Sequence, residues 1–275
     1  HVHSPSPCWL ADIRILVADD NAINRRLMEN LLGNYGATII CVEDGKQAVE
    51  ALQIQKVDIA LIDIHMPVLN GFEATIQIRQ LPQGKDLPLI AMTADAMSRN
   101  CVEIEHSGFD GYLVKPFEES DLLAAIDHFL HQDGIGKRIH PHRRKEHSTD
   151  ASELPIYNKP QAMRITGNSA SIAMTMLNQF IDTLPSSIKD ISNLADRKDW
   201  KSLWQCIHKL QGAAAVCAVP AFSAALNRLQ VAVQNENVIA TETELKLVTS
   251  EMQRLINYHA EQEYQPDSQI DGVQG

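Results

Sequence analysis

The sequence predicts two domains of different classes: a doubly wound α/β domain with a five-stranded parallel sheet, followed by an all-α helical bundle. Residues 13–130 alternate between short apolar runs and amphipathic helical runs, whereas residues 157–262 show helical periodicity alone. The stretch 132–156 between them is rich in glycine, proline, histidine and basic residues and has no apolar period. Regular alternation of strand and helix patterns predicts a parallel sheet with helices on both faces.

The strand candidates are short and almost continuously apolar, as is typical of parallel strands buried on both faces. The predicted strands are Ile13–Ala18, Thr38–Val42, Asp58–Asp63, Pro88–Met92 and Gly111–Val114. The helical patterns between and after them are Ala22–Tyr35, Gly45–Gln53, Gly71–Gln80, Asp95–His106 and Glu118–Leu130. We therefore expect one α/β domain from 12 to 131.

The second half of the chain predicts a small bundle of four main helices over 157–264. Apolar residues recur there at helical spacing, and Pro220 suits the first turn of a helix. We expect residues 1–11 to form an N-terminal linker, 132–156 a flexible linker, and 265–275 a disordered tail.

The composition argues against several classes of function. The formal net charge of -11 disfavours a nucleic-acid surface, which needs basic patches. No run of about 18 apolar residues occurs, so we expect no membrane contact by this segment. The 5 cysteines are odd in number and form no CxxC pair, which favours free thiols in a reducing cytoplasm. The sequence lacks an initiator methionine and a signal peptide, and we expect it to be cut from a longer protein.

Polar side chains lie at the ends of four predicted strands, where open α/β sheets build their sites. These residues are Asp19, Asp20, Asp63, Thr93 and Lys115. Each alone has an ordinary explanation, such as a helix cap, a turn former or a solvated lysine. Their joint placement favours a functional site. Crowded carboxylates raise one another's pKa, and a divalent cation bound by oxygen ligands, typically Mg²⁺, relieves that repulsion.

Four segments of this half resemble the response-regulator receiver domains, which have a flavodoxin-like fold. The matching segments are LVADDN at 16–21, ALIDIHMPVLNG at 60–71, IAMTA at 90–94 and GYLVKPF at 111–117. The resemblance implies that Asp63 is the nucleophile that becomes an aspartyl phosphate. It implies that Asp20, Asp63 and the backbone carbonyl of His65 coordinate Mg²⁺, and that Asp19 assists through metal-bound water.

The same resemblance implies roles for residues around the phosphoryl group. Lys115 pairs with the phosphoryl oxygens, Thr93 hydrogen-bonds the phosphoryl group, and Tyr112 is an aromatic switch that turns inward when Thr93 moves. Pro67 and Gly71 shape the loop around the site. These roles agree with the physical demands of phosphoryl transfer, which are charge neutralisation and positioning.

One histidine in the second half stands out by its helical position. The predicted buried stripe comprises Leu203, Ile207, Leu210, Ala214 and Cys217. His208 stands beside this stripe toward solvent, with Gln211 and Gly212 one turn on and Lys209 adding a positive charge. Glycine inside a helix costs about 1 kcal/mol relative to alanine. Gly212 either clears space over the imidazole for another protein or permits close helix packing, and the residues alone do not decide between these.

The segment IHKLQGAAAVCAV at 207–219 resembles the active helix of histidine phosphotransfer (HPt) domains. The resemblance extends over the bundle and implies that His208 is the phospho-accepting imidazole, supported by Lys209, Gln211 and Gly212. The alanine-rich stretch after Gly212 departs from the family pattern and leaves the packing around the site open.

A receiver followed by an HPt bundle resembles the C-terminal end of hybrid sensor histidine kinases, most closely the BarA/GacS class including LetS. The resemblance implies a relay from a kinase phosphohistidine to Asp63, then to His208, then to a separate response regulator. Its partners are then an upstream histidine kinase core and the downstream regulator, with a parent protein anchored in the inner membrane. This chain matches no kinase module, so we expect that the segment itself does not use ATP.

Other hypotheses remain open at this point. The chain is alternatively a stand-alone receiver–HPt shuttle, a Mg²⁺-dependent phosphohydrolase with Asp63 as nucleophile, or a degenerate receiver acting as a scaffold. Phosphatases of the haloacid-dehalogenase type place a second Asp two residues after the nucleophile, where this chain has His65. The intact set of polar strand-end residues counts against the scaffold. Whether transfer runs within one chain or between two is open.

Overall fold

The computed structural model describes residues 8–94, 104, 106–131 and 154–263. The predicted tail 265–275 lies outside the described residues, as does the predicted linker 132–156 apart from its last three positions. Most of the predicted helix Asp95–His106 also lies outside them, although Ile104 and His106 are helical. The described residues fall into two compact units, and Pro160–Met176 groups with the first.

The first unit is built on one parallel five-stranded sheet, as the sequence predicts. Its strand order is β2-β1-β3-β4-β5. The strands are β1 (Arg14–Ala18), β2 (Thr38–Val42), β3 (Ile59–Asp63), β4 (Leu89–Thr93) and β5 (Gly111–Val114). Every residue of β3 and β4 is buried. Burial on both faces is why these strands form continuous apolar runs in the sequence.

The described helices of this unit begin and end close to their predicted positions. They are α1 (Ala22–Gly33), α2 (Gly45–Ile54), α3 (Gly71–Gln80) and α4 (Glu119–His131), with a 3₁₀ turn at Pro82–Gly84. Helix α1 ends before the predicted Tyr35 because Gly36, with a φ of 87°, turns the chain and donates its N–H to Gly33. Helix α3 begins with a capping box formed by Asn70 and Glu73.

Residues 8–11 pack on the first unit, although we expected residues 1–11 to form an N-terminal linker. Leu10 is fully buried, and its N–H donates to the carbonyl of Tyr35 at 3.0 Å. The ring of Trp9 packs edge-on against that of Tyr35. Two isolated apolar residues have no periodicity, so the sequence pattern could not reveal this contact.

The C-terminal half is helical. It contains α5 (Lys159–Ile165), α6 (Ala170–Asp196), α7 (Trp200–Val216), α8 (Pro220–Gln234) and α9 (Val238–Glu263). The last four are the predicted main helices, and Pro220 occupies the first turn of α8 as expected. Phe180 and Phe222 pack edge to face in the core, with ring centroids 5.8 Å apart. Among the helices the structure describes, none is long and apolar enough to cross a bilayer.

Candidate functional site

The carboxyl ends of four neighbouring strands bring the predicted polar residues to one edge of the sheet. In chain order these are Asp19 and Asp20 after β1, Asp63 ending β3, Thr93 ending β4, and Lys115 after β5. The strand order β1-β3-β4-β5 makes these strands consecutive neighbours. The parallel register then aligns their ends, with Asp63 opposite Met92 and Thr93 opposite Val114.

Lys115 bridges two carboxylates at this edge. Its Nζ lies 2.6 Å from Oδ2 of Asp19 and 2.6 Å from Oδ2 of Asp63. All three side chains are buried. Burial opposes the charged ammonium, but the two carboxylates outweigh that effect and raise the pKa of Lys115 above its usual value. The lysine is therefore a fixed positive charge beside Asp63.

Asp19 is held in place by the start of α1. The N–H of Asn21 donates to its Oδ1 at 2.9 Å, and the amide of Asn24 donates to both of its carboxylate oxygens at 3.1 and 3.0 Å. The guanidinium of Arg25 donates to the backbone carbonyl of Asp19 at 2.8 Å and pairs with Glu43. Sequence reasoning missed Asn24 and Arg25. The available signal was Asn24 itself, a polar residue on the buried face of α1.

The carboxylates at this edge carry more negative charge than Lys115 balances. Burial raises the pKa of Asp19, and Asp63 raises it further against the opposing effect of Lys115. Carboxylate oxygens of Asp19, Asp20 and Asp63 lie within 4.8 Å of one another. An all-oxygen cluster with excess negative charge fits a hard divalent cation such as Mg²⁺.

Three further predicted residues lie beside this cluster. Thr93 is 1% exposed, and its carbonyl accepts the Lys115 N–H at 2.7 Å. Tyr112 is half-buried against the hydrophobic cluster of the sheet. The N–H of His65 donates to Oδ1 of Asp63 at 3.1 Å. The inward turn of Tyr112 and metal coordination by the His65 carbonyl stay predictions.

The loop from β3 to α3 is fixed by two close backbone approaches. A Cβ at Gly71 would lie 2.3 Å from the carbonyl oxygen of Asp63, and a Cβ at Gly45 would lie 2.4 Å from the carbonyl oxygen of Leu69. Glycine is therefore required at both positions. The N–H of Gly45 also donates to the Leu69 carbonyl at 3.0 Å.

The tip of this loop is a strained three-residue turn. The N–H of Leu69 donates to the carbonyl of Pro67 at 2.7 Å, and Val68 between them has a φ of 65°. A γ-turn with positive φ is rare, and a β-branched residue is poorly suited to it. Val68 is 78% exposed, so the fold keeps an apolar side chain in solvent in the loop that follows Asp63.

The second unit contains His208 on α7. Asp199 caps this helix by accepting the N–H of Ser202 at 3.2 Å. The predicted stripe of Leu203, Ile207, Leu210, Ala214 and Cys217 is buried throughout. His208 is half-buried beside the stripe, as its helical position predicts.

The imidazole of His208 stacks on the indole of Trp204. The ring centroids lie 4.9 Å apart, and the ring planes are 9° from parallel. Trp204 precedes His208 by one helical turn, where side chains share a face. Sequence reasoning did not single out Trp204, although an aromatic residue four positions before a candidate histidine was the available signal.

The other predicted residues near His208 differ in their surroundings. Lys209 is exposed, and Gly212 is half-buried. The side-chain amide of Gln211 donates to Asn227 on α8, and its Oε1 is buried without a hydrogen-bond partner among the described residues. The supporting roles of these three residues stay predictions.

Both units match known families. Residues 15–127 match the response regulator receiver domain, and residues 175–258 match the Hpt domain. The receiver domain of a sensor histidine kinase from Pseudomonas aeruginosa, crystallised with magnesium in its active-site cleft, is 34% identical. The alignment covers 44% of this chain and 100% of that one, with a TM-score of 0.43.

Longer relatives match across both units. The chain is 31% identical over 231 residues to the sensor histidine kinase GacS of Pseudomonas protegens, covering 82% of this chain and 25% of GacS. It is 29% identical over 206 residues to the histidine-protein kinase BarA of Escherichia coli, covering 75% of this chain and 22% of BarA. The chain therefore spans about a quarter of the length of these relatives.

Proposed function

Because the chain joins a response-regulator receiver domain to an Hpt domain, and so belongs to the phosphorelay signalling proteins, we propose that Asp63 and His208 are its two phosphoryl acceptors. The observation that carries this proposal is the buried cluster at the sheet edge, where Lys115 bridges Asp19 and Asp63 at 2.6 Å each. The cluster lies in the same chain as a half-buried, stacked histidine on α7.

In the first step, an oxygen of Asp63 attacks a phosphohistidine of an upstream kinase. The new O–P bond forms as the donor N–P bond breaks. Lys115 supports this step because its fixed positive charge offsets the charge of the incoming phosphoryl oxygens. The hydrogen bond from the His65 N–H holds the Asp63 carboxylate in one orientation.

Asp19, Asp20 and Asp63 would hold Mg²⁺, with the carbonyl of His65 as a further proposed ligand. The bound cation would neutralise charge on the carboxylates and on the phosphoryl group. This chain's own contribution is the placement of those oxygens. The amide of Asn24 and the N–H of Asn21 fix Asp19, so its carboxylate is in position before any ligand arrives.

In the second step, a ring nitrogen of His208 takes the phosphoryl group from Asp63. The N–P bond forms as the O–P bond breaks, which frees the Asp63 carboxylate for another cycle. A separate response regulator then takes the phosphoryl group from His208. Linking both acceptors in one chain gives a high effective concentration wherever the geometry allows contact.

The proposal includes a parent protein and its surroundings. By likeness to GacS and BarA, this chain would be the C-terminal region of a sensor histidine kinase whose core phosphorylates Asp63. The segment would work in the cytoplasm, and its described cysteines are free thiols, which suits a reducing compartment. An anchor that holds the parent protein in the inner membrane is part of the same proposal.

The order of transfer is tested with a phosphorylated kinase core as donor. The chain is mixed with the donor and Mg²⁺, and base-labile acyl phosphate is distinguished from acid-labile phosphohistidine. We expect Asp63→Asn to block loading of both sites and His208→Gln to retain acyl phosphate alone. Loading of His208 in the Asp63→Asn chain would overturn the order of transfer.

A further inference from the structure

The contact between Trp204 and His208 has a geometry that suits a reacting imidazole. Their rings stack with centroids 4.9 Å apart and planes 9° from parallel. In a helix the Cβ atoms tilt toward the N-terminus, so a residue leans over the turn that precedes it. His208 therefore lies over Trp204, which comes one turn earlier.

The stack covers a face of the imidazole and leaves its edge clear of the indole. The lone pair that attacks phosphorus lies in the plane of the imidazole ring. Because the two planes are nearly parallel, the indole does not stand in the path of that lone pair. An edge-to-face contact from the same residue would have placed one ring across the edge of the other.

We infer that Trp204 is a positioning residue for His208: it selects one orientation of the imidazole and supports the positive charge that the ring acquires during transfer. This inference rests on the proposed function of His208. The stack restricts the rotamers open to a half-buried histidine on a helix, and only some rotamers direct a ring nitrogen outward. Fixing the reacting group in advance removes part of the barrier to transfer.

The imidazole of His208 becomes positively charged during the transfer step. The attacking nitrogen contributes its lone pair to the new N–P bond as the O–P bond to Asp63 breaks. The imidazole gains positive charge until its other nitrogen releases a proton to solvent. An aromatic face beside a cationic ring is attractive, and tryptophan provides the strongest such face among the side chains.

The stacking itself is tested without reference to phosphoryl transfer. Proton–carbon NMR of the histidine rings in the full chain should show the His208 C–H signals shifted upfield by the ring current of Trp204. The His208→Gln variant assigns those signals. We expect the shift to persist in Trp204→Phe and to disappear in Trp204→Leu. Trp200→Leu, which removes a half-buried tryptophan one turn earlier in α7, is the matched control and should leave the shift intact.

The functional part uses phosphoramidate as a small-molecule donor, which passes its phosphoryl group to imidazole and releases ammonia. Because phosphoramidate can also label the Asp63 carboxylate, every variant in this assay carries Asp63→Asn, and only acid-labile, base-stable phosphohistidine is counted. We expect Trp204→Leu to slow phosphorylation of His208 by about three- to tenfold, and Trp204→Phe to restore most of the rate. Trp200→Leu should react like the parent chain. Circular dichroism melting identifies any variant that fails to fold. If Trp204→Leu does not fold, Trp204→Met, which keeps much of the bulk and removes the aromatic face, carries the comparison and should also be slowed.

The possible outcomes test the proposed role of His208 and the positioning role of Trp204 separately. If phosphoramidate forms phosphohistidine in the His208→Gln, Asp63→Asn chain as fast as in the Asp63→Asn chain, the proposed role of His208 fails while the stacking result stands. If His208 is labelled at the parent rate in a folded Trp204→Leu chain whose upfield shift is gone, the positioning role of Trp204 is overturned. An unshifted His208 signal in the parent chain would overturn the stacking.

Discussion

At the scale of single residues, Lys115 is the cation on which the buried carboxylates depend. Replacing it with methionine removes the charge and leaves Asp19 and Asp63 buried together. Breaking a buried ion pair from one side typically costs about 3–5 kcal/mol. We expect Lys115→Met to lower the free energy of unfolding by that amount in urea titrations without Mg²⁺, and Mg²⁺ to restore part of it.

Lys46→Met is the matched control for this loss. Lys46 forms an exposed pair with Glu50 at 3.8 Å on the surface of α2. Exposed pairs contribute less than about 1 kcal/mol, so this variant should unfold almost like the parent chain. Equal losses in the two variants would contradict the assignment of Lys115 as the central cation.

The pKa of Asp19 predicts a pH dependence of stability. Burial raises this pKa above its ordinary value of 3.8, and Asp63 adds to the increase while Lys115 opposes it. A raised carboxyl pKa contributes stability below the unfolded-state value, and that contribution is lost as pH rises through the folded-state pKa. With a chelator present, the parent chain should therefore lose unfolding free energy relative to Asp19→Asn as the pH rises from acid to neutral. A relative gain over that range would contradict the assigned direction.

Single residues also show which parts of the site the sequence could predict and which it could not. The strand-end residues could be predicted because they follow apolar runs at positions where a parallel sheet places its site. For Asn24 and Trp204 the sequence offers only a position on a helix face, because the contact that each makes depends on rotamer and packing. Asn24 contacts Asp19 across a turn, and Trp204 contacts His208 along a helix.

At the scale of elements, the turn at Val68 stores backbone strain in the loop between β3 and α3. Asparagine tolerates positive φ better than valine does. We expect Val68→Asn to raise the free energy of unfolding by about 1 kcal/mol, measured by urea denaturation. Ile76→Asn is the control, since it removes another exposed apolar side chain from the regular helix α3. Stabilisation by both variants alike would show that exposure, and not the turn, limits stability.

The positions of the strands and helices follow closely from the periodicity of apolar residues in the sequence. All five strands lie within one residue of the apolar runs that predict them, and the fully buried β3 and β4 leave the clearest pattern. The packing of residues 8–11 and the turn at Val68 were not predictable in this way. Two apolar residues give no period, and valine is an unfavourable choice for positive φ, so sequence propensity opposes the observed turn.

At the scale of the whole molecule, the acidic cluster proposed to hold Mg²⁺ belongs to one of two compact units. Ligand binding stabilises the folded unit that holds the ligand, by about 2.7 kcal/mol at a hundred times the dissociation constant. In calorimetry of the full chain, we expect Mg²⁺ to raise the melting temperature of the unit with the sheet and to leave the helical transition in place.

Two variants test whether the Mg²⁺ effect in calorimetry comes from the acidic cluster. Asp63→Asn should weaken the Mg²⁺ effect because it removes one carboxylate of the cluster, whereas His208→Gln should leave the effect unchanged. A shift confined to the helical transition, or one that survives loss of Asp19 and Asp63 together, would place the cation elsewhere.

The sequence predicted the two-domain organisation because each half has its own periodicity, and the family matches agree with that division. The proposed roles of Asp63 and His208 go further, since they concern the covalent transfer of a group. Periodicity reports burial and cannot report the transfer of a group.

The most direct test of the relay is to locate the phosphate after loading the chain with acetyl phosphate and Mg²⁺. Peptide mapping by mass spectrometry, kept at alkaline pH to preserve phosphohistidine, should place it on His208 in the parent chain. It should be absent from His208 in Asp63→Asn. Intact-mass measurement at neutral pH, which spares the base-labile acyl phosphate, should detect one phosphoryl group on the His208→Gln chain. Phosphohistidine at full level in the Asp63→Asn chain, or at another histidine in the His208→Gln chain, would contradict the relay from Asp63 to His208.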